Sequence, residues 1–274
     1  ALKLARLDGE IAQEYIAHLP QLVGLAPYQH LEDWLREGTV MAEKNREAGI
    51  AYFSLESKTS LDYLRRAQDT VYLDDISRIL QLFTEGLSGK RVGVRSLSQH
   101  PKGLKGYTGY YPFTDGENIY LPLSNYEFGS QSLNFMYYKL STAHQAGYFE
   151  FGSFHVSTML GKFFKKFPKP QLARDIFYLV EDGRIDFLLK HYYRGLRQDF
   201  EWLITHFLGR RPPINCFPLQ QSTMECLVHL STGQEINQDL PPILWPLVVK
   251  LRTALAPIFQ VHSQPGDSLS VTEE

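Results

Sequence analysis

Two cysteines in 274 residues, Cys216 and Cys226, are too few for a disulfide framework. Their scarcity fits a reducing compartment, so a cytoplasmic setting is expected. An excess of charge of one sign is also missing. Lys and Arg number 28 against 30 Asp and Glu, a formal net charge of -2. That balance argues against general affinity for nucleic acid or an anionic membrane surface. No uninterrupted apolar run approaches the roughly 20 residues that span a bilayer, so no membrane insertion is expected. A Gly-rich Walker A loop is absent as well, so any ATP hydrolysis has to come from a partner. The start has no pattern of a secretory leader. It also lacks Met, and the chain ends in a polar run. Both features suggest a fragment of a longer protein.

What remains is an ordinary globular composition, 43% hydrophobic and 21% charged, in a chain long enough for one large domain or two modest ones. Apolar residues at helical spacing predict helices over 8–23, 29–48 and about 59–87. This first stretch, 1–90, reads as a helical subdomain. The character changes at Arg91. Val92, Val94 and Leu97 form a strand-like run, followed by a Gly- and Tyr-rich loop (Gly103, Gly106, Tyr107, Gly109, Tyr110, Tyr111). Thr114-Asp115-Gly116-Glu117 then predicts a turn before a second strand at 118–123. Further helices are expected over 130–149, 170–190, 196–209, 219–232 and 242–260. The expected organisation is therefore 1–90 as helical subdomain, 91–209 as a core with a small β unit, 210–262 as C-terminal helices, and 263–274 as a polar linker or tail. The fold class expected is mainly α with a small antiparallel β unit.

Chemistry concentrates at Ala143-His144-Gln145-Ala146-Gly147-Tyr148. Zinc peptidases carry His-Glu-x-x-His on a helix, with two His one turn apart as ligands and the Glu as general base. Here His144 holds the first ligand position, Gln145 the base position and Tyr148 the second ligand position. Gln cannot take a proton from a metal-bound water, and neutral Tyr is a poor zinc ligand. The pattern reads as a degenerate zincin-like site. A later Glu completes the ligand set in one zincin class, and Glu181 is spaced for that part. The candidate metal set is His144, Glu181 and Asp182, with zinc as its metal; no other cofactor is expected. Asp182 and Asp186 lie one turn apart, so one of them is placed to orient the His144 imidazole, and Arg184 to neutralise the carboxylates. The plainer reading makes His144 a hydrogen-bonded core residue and the four charged residues a structural network. The basic run Lys162, Lys165, Lys166 and Lys169, interleaved with Phe163, Phe164 and Phe167, reads as a solvated loop or, alternatively, a docking surface.

Four segments in order, residues 114–122, 143–147, 150–154 and 181–186, resemble the NorD/CbbO family. The likeness is confined to about 107–200. Members of that family are typically long cytoplasmic proteins ending in a von Willebrand factor A domain. They work with MoxR-type AAA+ ATPases to activate client enzymes or insert metal into them. The resemblance implies a non-catalytic adaptor or scaffold whose partners are a MoxR-type ATPase and a client protein. The chain departs from the family at Tyr148, where the family keeps a second His. It also lacks an Asp-x-Ser-x-Ser metal-adhesion motif, since Asp267-Ser268-Leu269-Ser270 has the wrong spacing. The alternatives are a metal-dependent hydrolase using His144, Glu181 and Asp182, with Gln145 polarising substrate, and a stand-alone peptide-binding pseudoprotease.

Overall fold

Helices dominate the computed structural model, which describes residues 2–26, 28–100, 111–236 and 240–274. Most of the expected Gly- and Tyr-rich loop (Gly103, Gly106, Tyr107, Gly109, Tyr110) lies outside the described residues; Tyr111 is exposed. The chain divides into two compact units. One is residues 1–72 with 124–135, the other 73–123 with 136–274.

The first unit opens with α1 (Leu2–Leu7), α2 (Gly9–Leu25), α3 (Tyr28–Lys44), α4 (Arg46–Phe53) and α5 (Lys58–Asp69). Side chains that accept from orphan backbone N–H groups mark three of these starts. Asp8 caps α2, Asn45 caps α4 and Ser57 caps α5. The unit's core gathers Trp34, Tyr52 and Phe53 with Ile11, Leu22 and Leu64. The Trp34 indole is satisfied by the Ser60 hydroxyl at 3.0 Å. The helix expected over 59–87 breaks at strand β1 (Val71–Tyr72), where the chain turns to pair with Ser124 and Asn125.

Beyond that break the second unit begins with α6 (Leu73–Ser88), then β2 (Gly93–Ser96), β3 (Phe113–Thr114) and β4 (Asn118–Leu121). In the first unit, β5 (Ser124–Asn125) pairs antiparallel with β1. The larger sheet runs β2-β4-β3. Its β3–β4 hairpin is antiparallel, but β2 lies parallel to β4, with Gly93 opposite Asn118 and Ser96 opposite Leu121. This corrects the wholly antiparallel unit expected from the sequence. Strand-like composition says nothing of direction, and the long connection between β2 and β4 permits the parallel pairing. The expected turn is present. Gly116 takes a φ of 94°, and the Asp115 carboxylate accepts from the backbone of Glu117 and Asn118 at 2.9 and 2.7 Å.

Helix α7 (Gln131–Glu150) follows, then α8 (Ser157–Phe164), α9 (Pro170–Tyr192), α10 (Arg197–Gly209), α11 (Leu219–Ser231), α12 (Trp245–Leu255) and α13 (Pro265–Glu273). Val180, Cys226, Leu230, Leu244, Val248, Leu255 and Ile258 form the main core of this unit. Helix α9 is buried along much of its length, and Gly183 lets it pass close to α11. A Cβ at Gly183 would lie 2.1 Å from the Ser231 carbonyl oxygen. The apolar stretch Pro242–Phe259 has the length and mean hydropathy of a membrane span. It is divided between a 3-10 turn, α12 and a second 3-10 turn, and its residues Leu244, Val248, Leu255 and Ile258 belong to the core.

Residues 263–274, expected as a polar linker or tail, instead form an ordered helical end. A Gln264/Asp267 capping box and Pro265 in the first turn start α13, and Pro265, Ser268, Val271 and Thr272 are buried. The segment's polarity misleads because its Ser and Thr side chains are spent internally. Ser268 bonds to Glu181 and Thr272 to the Ser268 carbonyl.

Candidate functional site

Helices α7 and α9 supply the site. On α9, Asp182 and Asp186 are one turn apart and share a face, whereas Glu181 points about 100° away from Asp182. On α7, His144, Gln145 and Tyr148 occupy the positions the degenerate motif assigns. Gly147 permits the close approach: a Cβ there would lie 2.4 Å from Ile185 Cγ2.

The His144 imidazole sits between the two aspartates. Its Nδ1 is 2.7 Å from Asp186 Oδ1, and its Nε2 is 3.2 Å from Asp182 Oδ1. Tyr148 donates its hydroxyl to the same Asp182 oxygen, and its ring stands edge-on to His144. Burial by itself would lower the His144 pKa, since it disfavours the charged ring. The charge of Asp186 and the hydrogen bond and charge of Asp182 outweigh it and hold the pKa well above the usual histidine value. Each ring nitrogen faces a carboxylate oxygen, the arrangement that suits an imidazolium donating from both nitrogens. Burial, reinforced by the Asp182 charge, pushes the Tyr148 phenol well up, so Tyr148 remains a neutral donor.

Glu181 and Arg184 form a second cluster, fully buried. Arg184 Nε donates to Glu181 Oε2 at 2.8 Å and Nη2 to Oε1 at 2.6 Å. Ser153 and Ser268 each donate a hydroxyl to the same carboxylate. Nη1 also donates to the Ser263 carbonyl and Nη2 to the Phe151 carbonyl, both at 3.1 Å. All members are thus paired, the condition under which a buried ion pair is tolerated. The network ties α9 to the turn after α7 and to α13.

This geometry bears on the proposed metal set. Of His144, Glu181 and Asp182, the first and last are in contact, but both Glu181 oxygens are engaged by Arg184, Ser153 and Ser268. His144, doubly hydrogen-bonded and protonated, offers no lone pair to a cation. Among the described residues no three His, Cys, Asp or Glu side chains are grouped as a metal would need. As arranged, the residues do not fit the zinc set, and no chemistry is routed through it. Gln145 is buried and donates to the Pro112 carbonyl at 3.3 Å, joining α7 to the chain just before β3. Of Asp182 and Asp186, one of which was expected to orient His144, Asp186 is the closer partner, at 2.7 Å against 3.2 Å. Arg184, expected to neutralise the local carboxylates, pairs with Glu181 among them. Ser263 and Ser268 were not marked by sequence reasoning, and nothing in a polar C-terminal run distinguishes a buried Ser from a solvated one.

The chain has no significant match to any family model, curated protein or solved structure.

Proposed function

We propose that this chain is a non-catalytic adaptor or scaffold module that works with a MoxR-type AAA+ ATPase on a client protein, on a degenerate zincin-like framework. The observation that carries the non-catalytic half is the closed His144 ring. With a carboxylate oxygen facing each nitrogen, the imidazole presents no free basic lone pair to accept a proton or bind a metal. Gln145 stands where a general base would be needed and donates to a backbone carbonyl. The adaptor half rests on the resemblance of residues 114–122, 143–147, 150–154 and 181–186 to the NorD/CbbO family. In this reading the old catalytic helix pair is kept because its ionic links hold α7 and α9 together.

Size-exclusion chromatography of the purified chain with a MoxR-type ATPase from the same genome, with and without ATP, tests the reading. Co-elution together with a change in ATP turnover is the expected result. No complex, together with chelator-sensitive peptide cleavage by the chain alone, would overturn it.

A further inference from the structure

Between Ser157 and Arg174 the chain carries Lys162, Lys165, Lys166, Lys169 and Arg174 and not one carboxylate, although Asp and Glu slightly outnumber Lys and Arg overall. All five cations are exposed. The interleaved rings turn the other way. Phe163 and Phe164 are buried, Phe167 is half-buried, and all three pack with Val156, Ala173 and Phe177 in a separate small core. This inward anchoring fixes the lysines on a rigid base rather than a floppy loop. Their counter-charge is sparse: Lys166 lies 3.7 Å from Glu273, and that pair is exposed. Asp175, in the first turns of α9, is exposed and accepts a hydrogen bond from Gln171 at 2.8 Å. Met159 and Leu172, at either end of the run, are 52% and 41% exposed. Met159 and Lys162 share one face of α8, and Lys165 and Lys166 follow in the turn beyond it.

We infer that this basic face, α8 through the first turn of α9, is a docking surface for an acidic protein segment carrying apolar anchors. Charge complementarity selects the sign of the partner. The buried rings bear on its class: base stacking on single-stranded nucleic acid, and insertion of a membrane-surface helix into lipid, both call for large apolar groups turned outward. Here Phe163 and Phe164 serve neither, leaving ammonium groups flanked by one flexible Met and one Leu, which suit carboxylates and aliphatic side chains. The inference does not depend on the function proposed for the His144 cluster.

Fluorescence anisotropy of a labelled 18-residue probe peptide of Glu with Leu at helical spacing tests the inference. The peptide is titrated with the full chain and with its K162E/K165E/K166E/K169E variant at low and near-physiological salt. The expected result is saturable binding that weakens as salt rises and falls at least about tenfold in the variant, whose circular dichroism is unchanged because the reversed side chains are exposed. Equal affinity for the two proteins, or no binding of the peptide, overturns the inference. So does preferential binding of phosphatidylserine vesicles or single-stranded RNA over the peptide.

Discussion

His144 shows how one residue type serves opposite ends in similar settings. A zinc-ligating His is neutral and gives its lone pair to the metal; here two carboxylates keep the ring charged and turn it into a double donor. Replacing it by Gln leaves Asp182 and Asp186 facing each other and is expected to cost about 2 kcal/mol, read by urea denaturation. The pH dependence has a definite sign. Because the folded pKa is raised above the unfolded value, the stability from protonated His144 is fully present below the unfolded value of about 6.5 and is lost as pH rises through the folded value. The stability difference between wild type and His144→Gln should therefore shrink from neutral to alkaline pH; a difference that grows there contradicts the assignment. At the buried pair, Glu181→Ala strands the Arg184 charge and should cost about 3–5 kcal/mol. The double variant Glu181→Leu/Arg184→Met should cost clearly less than the sum of the single losses, which a double-mutant cycle by denaturation measures. The sequence made the meeting of His144 with Asp182 and Asp186 legible, since i, i+4 carboxylates on one helix share a face. It did not reveal that Glu181, one residue earlier, faces a different neighbour, because its partners Ser153 and Ser268 are far away in the chain.

Helices with strong periodicity and clear punctuation were readable. The expected 130–149 and 170–190 segments match α7 (131–150) and α9 (170–192) closely, and Pro170 starts α9 where its missing N–H is harmless. Three features were hidden for physical reasons. The break between α5 and α6 depends on pairing of Val71–Tyr72 with Ser124–Asn125, a contact that local propensity does not contain. The parallel alignment of β2 with β4 depends on topology. The ordering of α13 depends on burial of small hydroxyl side chains against Glu181. Helix contact also sets a limit that composition conceals: Gly183 is required by the passage of α11, not by a turn. Gly183→Ala drives a methyl into the Ser231 carbonyl and should destabilise the protein by about 1–3 kcal/mol, visible as a lowered melting temperature. An unchanged melting temperature would mean that α9 and α11 are farther apart than described. A control at Gly161, where a Cβ meets nothing within 4 Å, should leave the melting temperature nearly unchanged.

The whole molecule is mainly helical, with a small sheet and charged clusters spent on holding helices together. On the reading proposed above, its role is recognition and not catalysis. In that account, surface charge and partner contacts carry the function, while the α7–α9 pair is a scaffold. The most direct test of this account is the metal content of the purified chain after exposure to zinc and desalting, measured by plasma mass spectrometry beside a His144→Ala control. The account predicts no stoichiometric zinc in either protein. About one zinc per chain, lost in the His144→Ala variant, would contradict it and place a metal centre between α7 and α9.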